Sequence, residues 1–301
     1  MAGYTTENLL RTIKQRGMTP TNQSTWQNED YLRLATEIMR LDLMGLLVSI
    51  HEDYFVTHRL YDIPEGTKSR FRLPERATGM SLKGVYLVDD QDEDRIPVPR
   101  LDRNLADYSN VGYRQTQYYL EWNDLVLFGN STLERKRLRV EYYIEPGQLV
   151  DVSRGTFVES VSGNVVTVSS VPSVFSASDK YDLISHTGGR EYYDIDIAVS
   201  NIDTITNQIT FSDDVPSLQV GDVIALSGES TTPQLPNSLQ PILAQMTIVE
   251  VLESLGFDKQ SERMRERAKH MIESAMKTIT PRVHGSPKKI LSGYSRRLRF
   301  D

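Results

Sequence analysis

The chain has 301 residues, a mass of 34.3 kDa, a formal net charge of −7, five histidines and no cysteine. That length fits one large or two modest domains and can bury a core without cross-links. The lack of cysteine excludes disulfides, thiolate metal centres, thiol nucleophiles and iron–sulfur clusters, and it fits a reducing compartment.

In chain order, residues 5–16 (TTENLLRTIKQR) read as a short helix, with Thr5 or Thr6 as its cap and Gly17 as its stop. This start lacks the apolar core of a signal peptide. Residues 17–26 are loop by composition. Over 27–52, Tyr31, Leu34, Ala35, Ile38, Leu41, Gly45 and Leu46 recur at helical spacing and predict a long helix. From 54 to 150 the pattern turns to strands: YFVTHRLYDI, SRFRL, GVYLVDD, RQTQYYLEWNDLVLFG and RKRLRVEYYIEP. In the last of these Leu138, Val140, Tyr142 and Ile144 alternate, as a strand with one buried face requires. LDRNLADY (101–108) reads as a short helix between strands.

Residues 151–236 are rich in Val, Ser, Thr, Asp and Gly and contain an internal repeat. NVVTVSSVPSVFSASDKYDLIS begins at Asn164 and NQITFSDDVPSLQVGDVIALS at Asn207, an offset of 43. Thr167 matches Thr210, Ser169 matches Ser212, Asp179 matches Asp222, and Pro172 matches Pro216 after one gap. Two copies predict a pseudo-symmetric β domain of paired hairpins. A solenoid needs more copies. Beyond the linker 231–237, Asn237 or Ser238 can cap a helix to about Leu255, with Ile242, Met246, Val249 and Leu252 on one stripe. Gly256 breaks it. Asp258 opens a second helix striped by Met264, Ala268, Met271, Ile272, Ala275 and Ile279, which Pro281 stops. Residues 281–301 read as an extended arm with six basic residues and one acid, a net +5, leaving −12 on the rest. An acidic body with a basic tail points to an acidic partner or a second copy.

The expected fold class is therefore α+β. Residues 1–150 form a body of helices and strands, completed by helices in 237–280, so that the N- and C-terminal helices pack together. Residues 151–236 are an inserted small β domain, and 281–301 a basic extended arm. Apolar residues make up 39% of the chain, which predicts small domains, arms or partner surfaces rather than one large core. No run of 18 apolar residues occurs, so no membrane span is expected. Paired tyrosines (Tyr118-Tyr119, Tyr142-Tyr143, Tyr192-Tyr193) suit interfaces as well as strands.

Few motifs carry chemistry. His51-Glu52 lacks the second histidine of a metalloprotease helix. DDQDED (89–94) spaces Asp90, Asp92 and Asp94 like a calcium loop, but Arg95 and Leu101 stand where that loop needs Gly and Glu. GTKS (66–69) lacks the order of a phosphate loop, and Gly188-Gly189 reads as a turn. Asp194 and Asp196 would share a strand face. With Asp179 and Asp182 they are the acids an enzyme or a carbohydrate-binding module would use. No catalytic residue, metal ligand or cofactor is assigned, and the expectation is a protein that is not an enzyme.

The helix followed by TPRVHGSPKKI (280–290) and a short basic end resembles the neck proteins of tailed bacteriophages, the head–tail connectors or adaptors. The N-terminal half, a short helix, then TEIMRLDLMGLLVSIHEDYFVT (36–57), then aromatic-rich strands, resembles the same group. The likeness spans roughly 1–150 and 237–301, and the segment between is larger than in the simplest adaptors. It implies a structural virion protein at the head–tail interface, made in the host cytoplasm. It implies a ring, usually of twelve copies, between the portal protein and the next tail or neck protein. Genomic DNA would pass through without sequence-specific binding. The portal-docking arm would be Arg282, Lys288, Lys289, Ile290, Tyr294, Arg296, Arg297, Arg299 and Phe300. The alternative is another tail, baseplate or fibre-attachment protein with the inserted β domain as its binding module.

Overall fold

The computed structural model describes residues 4–17, 26–50, 53–64, 68–89, 92, 95–102, 116–128, 137–186, 192–215 and 218–279. The expected helix at 101–108 lies beyond Asp102 outside these residues, as do His51-Glu52, Gly66-Thr67, Gly188-Gly189 and Pro216.

The two ends of the chain fold together, in an α+β architecture. Helices α1 (Thr6–Gly17), α2 (Asn28–Ile38) and α3 (Met44–Ile50) come from the N-terminal part, and α4 (Gln240–Ser254) and α5 (Asp258–Ile279) from the C-terminal part. Both α1 and α2 pack on α4, and α5 folds back along it. Leu9, Ile13, Tyr31, Ala35, Leu243 and Ile248 meet in one core. The expected stripe on α4 understates its position. Leu243, Ala244, Thr247, Ile248 and Val251 are buried along with Ile242, Val249 and Leu252, so this is a central helix. Its N-cap is Leu239, without a side-chain hydrogen bond, and Pro241 sits in the first turn, where its missing N–H costs nothing. Gly256 ends it at φ +76°.

The predicted 27–52 helix is interrupted. Gln27 N–H donates to the Asp30 carboxylate at 2.9 Å and starts α2. Met39–Leu43 then forms a π turn before α3. That turn inserts a residue and advances the buried face. Leu43, Met44 and Leu47 are buried, whereas Leu41 and Gly45, expected inside, are exposed.

Two antiparallel sheets follow. One has the order β1-β7-β3-β4, from β1 (Val56–Asp62), β3 (Ala77–Val88), β4 (Arg95–Pro97) and β7 (Arg137–Ile144). The other has the order β2-β6-β5, from β2 (Lys68–Arg72), β5 (Gln117–Glu121) and β6 (Asp124–Phe128). Phe71, Leu125 and Leu127 of the second sheet share a core with Val85, Leu87, Leu138 and Val140 of the first. The alternation read in β7 is real, and the strand serves two cores. Leu138 and Val140 enter the core between the sheets, while Tyr142 and Ile144 enter the helical core. Tyr118, Tyr119 and Tyr142 are buried within the chain.

Strands β9 (Gly155–Ser162), β10 (Val165–Val168), β11 (Lys180–Ile184), β12 (Tyr192–Asp203), β13 (Gln208–Phe211) and β14 (Val223–Leu226) close a barrel in the order β10-β13-β12-β11-β14-β9. Exchanging the repeats maps β9, β10 and β11 onto β12, β13 and β14 and preserves this order. Val166 pairs with its own mate Ile209, and Asp182 with its own mate Ala225. A pseudo-two-fold axis therefore passes between each of these pairs. Hydrogen bonds repeat with it: Phe211 N–H to Asn164 O (2.8 Å) and Val168 N–H to Asn207 O (2.9 Å). Phe175 N–H to Pro172 O (3.1 Å) and Leu218 N–H to Val215 O (3.2 Å) form a second pair. The offset of 43 thus runs without the expected gap, and the mate of Pro172 is Val215, not Pro216.

The barrel stands on a narrow base. β8 (Gln148–Leu149) and β15 (Glu229–Ser230) pair in parallel, so the outgoing and returning chain lie side by side. Thr36 Oγ1 of α2 accepts Leu149 N–H at 2.9 Å, and Thr6 N–H of α1 reaches Thr231 O at 2.8 Å. Gly155 is required here, because a Cβ would lie 2.7 Å from Thr231 Cγ2.

Candidate functional site

The expected arm residues Arg282, Lys288, Lys289, Ile290, Tyr294, Arg296, Arg297, Arg299 and Phe300 all lie outside the described residues. The structure does describe the helix leading to them. One face of α5 buries Ser261, Ala268 and Ala275 and rests Met264, Met271 and Ile272 on the core. The other face exposes Glu262, Arg263, Arg265, Glu266, Arg267 and Lys269.

The barrel holds the four candidate acids, and it does not gather them. In β11, Tyr181 and Leu183 point into the barrel, while Asp182 and Ile184 point out. β14 does the same with Ile224 inside and Val223 and Ala225 outside. Ile184, Val223 and Ala225 join the helical core, so this outer face is the seat of the barrel on the body. Asp182 lies on it, fully buried and 2.5 Å from Arg76 Nη1, a residue 106 positions away. The carboxylate also accepts N–H groups from Gly228 (3.0 Å) and Asp196 (3.1 Å). Burial pushes the Asp182 carboxyl above the ordinary range, against the Arg76 charge and those two N–H groups. At the same point in the second half stands Ala225, so both halves give apolar contacts to the body and the first half alone gives this ion pair.

Asp194 and Asp196 do not share a face as the strand period predicts. β12 shifts register between the residues facing Tyr181 and Leu183, and Asp196 takes φ +58°. Such a bulge re-aims a side chain. Asp196 accepts from the Ser227 hydroxyl. Asp194 is held above the ordinary carboxyl range by desolvation, with the charge of Asp213 adding and the Ile195 N–H opposing. Asp179 is exposed.

Sequence reasoning missed two features. Asp222, mate of exposed Asp179, is fully buried and accepts His186 N–H (3.0 Å), His186 Nδ1 (2.8 Å) and Gln219 N–H (2.6 Å). A carboxylate on Nδ1 fixes an imidazole's orientation and tautomer. Here it ties the end of the first half to the start of β14. The second feature is charge: residues 151–236 contain twelve acids and three bases, a net −9. The signal for it was in the composition.

Of the acidic run, Asp92 holds an arginine, and residues 90, 91, 93 and 94 lie outside the described residues. Asp92 takes φ +58° and its carboxylate meets Arg139, whose Nε also reaches Glu141 at 3.0 Å. Among the described residues no group of three His, Asp or Glu side chains forms a metal cage. No described helix is long and apolar enough to cross a membrane. Compared with protein-family models and with curated proteins, the sequence matches none at a significant level.

Proposed function

We propose that the chain is a structural virion protein, a head–tail connector that forms a ring of about twelve copies between the portal protein and the next tail or neck protein. The observation that carries this reading is the passage from α5 to the basic segment. A long helix with one face on the core and a mostly charged outer face precedes residues 281–301, net +5, in a chain whose other 280 residues are net −12. A basic arm latches on an assembled acidic partner by many weak contacts, and repetition around a ring multiplies them. An acidic body around a channel repels DNA and leaves it free to move. No catalytic group, metal or cofactor is assigned in this reading.

The alternative is a tail, baseplate or fibre-attachment protein. The barrel favours it as a binding module, because it carries net −9 and exposes Ile205 at the β12–β13 turn. Removing residues 281–301 separates the two. A connector is expected to lose incorporation into particles, whereas a fibre-attachment protein retains it. Native mass spectrometry of the full chain over a wide concentration range is expected to show a closed ring near twelve copies. A trimer or hexamer would favour the alternative.

A further inference from the structure

The hairpin tip between β5 and β6 carries a residue that neither its turn nor solvent favours. Glu121 pairs with Asp124, so Trp122 and Asn123 form a two-residue turn. Such turns place their first residue at positive φ, where Asn, Asp or Gly are the usual occupants. Here Trp122 takes φ +58° and is 84% exposed. A large aromatic gains nothing there for folding. The tip is also held: Arg70 reaches Glu121 at 2.5 Å and Asp124 at 3.2 Å, one on each side of it. The result is a preorganised indole flanked by two carboxylates that share one arginine.

A cleft of about 410 Å3 opens on the same strand, between β5 and the segment that crosses its edge. Leu101 N–H bonds to Tyr118 O at 2.7 Å. Arg100, Leu101, Asp102, Tyr119 and Leu120 line it, so its walls are mixed, with one cation and one carboxylate beside the apolar and aromatic side chains. Lys68 lies 5.6 Å over the Tyr119 ring and adds a second cation. The volume falls within the ~300–1,000 Å3 of sites that enclose a small organic group.

We infer that Trp122 of one copy inserts into this cleft on a second copy. Glu121 and Asp124, which share Arg70, would then bring a net −1 to Arg100, Lys68 and Asp102, a net +1, and the guanidinium of Arg100 could stack on the indole. Knob and cleft lie on one strand, two residues apart, so the patch is self-complementary. Two copies related by a two-fold axis would fill both clefts at once. The inference is independent of the connector reading, which concerns the arm.

The test uses the full chain. It has two tryptophans, and Trp26 packs on Tyr31 at 5.4 Å, so a Trp26→Phe background leaves Trp122 as the reporter. Trp122 emission is expected to shift to the blue as concentration rises, in step with dimer formation by sedimentation. Trp122→Asn, with Trp26 intact, is expected to weaken self-association at least ~30-fold, as loss of a tryptophan anchor does. The same variant should melt higher than the parent, because Asn tolerates the left-handed turn. Arg100→Glu should weaken association without that gain in melting temperature. If Trp122 emission stays that of a solvent-exposed indole at every concentration, the inference is overturned. It also fails if Trp122→Asn associates like the parent.

Discussion

Arg76→Ala is expected to cost about 3–5 kcal/mol in urea unfolding, because it leaves the charge of Asp182 buried without its cation. The loss should depend on pH. The Asp182 carboxyl already sits above the ordinary 3.8, pushed there by burial, and without Arg76 it would rise further. A raised carboxyl binds its proton more tightly in the folded chain than in the unfolded one. The cost of the ionised form is then complete above the folded pKa and disappears as pH falls through it. The deficit of Arg76→Ala should therefore shrink from neutral pH towards pH 4. A deficit that is flat or grows on acidification would refute this account. Replacing both partners, Arg76→Met with Asp182→Leu, should cost less than Arg76→Ala, the remainder being the Gly228 and Asp196 N–H groups left without the carboxylate. The pair's role would then show as lost orientation of the barrel on the body, measured by small-angle scattering.

Phe211→Ala is expected to cost about 3–5 kcal/mol, the loss for emptying a large aromatic from a closed core. The damage should be local. The barrel interior of Val166, Tyr181, Ile209, Phe211 and Ile224 is separate from the core between the two sheets. Hydrogen exchange should therefore show β9–β14 losing protection while β3 and β7 keep theirs. Uniform loss across all three cores would show that the chain unfolds as one cooperative unit.

Much of this architecture is legible in the residue order, because it depends on local period. The alternation at Leu138, Val140, Tyr142 and Ile144, the break at Gly256, and the stripe of α5 each follow from contacts a few residues apart. The offset of 43 foretold the halves of the barrel, since repeated sequence folds alike. Other features depend on distant partners. The π turn at Met39–Leu43 changes which face is buried without changing composition. The full burial of α4 comes from α1, α2 and α5 surrounding it. The bulge that separates Asp194 from Asp196 breaks the period on which their pairing rested. Arg76 and Asp182 meet across 106 positions, and no spacing rule reaches that far. The arm residues, chosen by resemblance, fall outside the described part of the chain.

The parallel pair β8 and β15 has an evolutionary consequence. Val150 N–H bonds to Ser230 O at 3.0 Å, so the chain departs and returns through almost one point. A bridge of about three residues, at ~3.3–3.6 Å each, spans such a gap. The barrel is thus a cassette that recombination can swap for another without redrawing the helices or sheets that carry it. One restriction travels with every exchange. The incoming module must supply a small apolar foot in place of Ile184, Val223 and Ala225, and an anion for Arg76. Variation in such a lineage should therefore be free at the far end of the cassette and constrained at its foot.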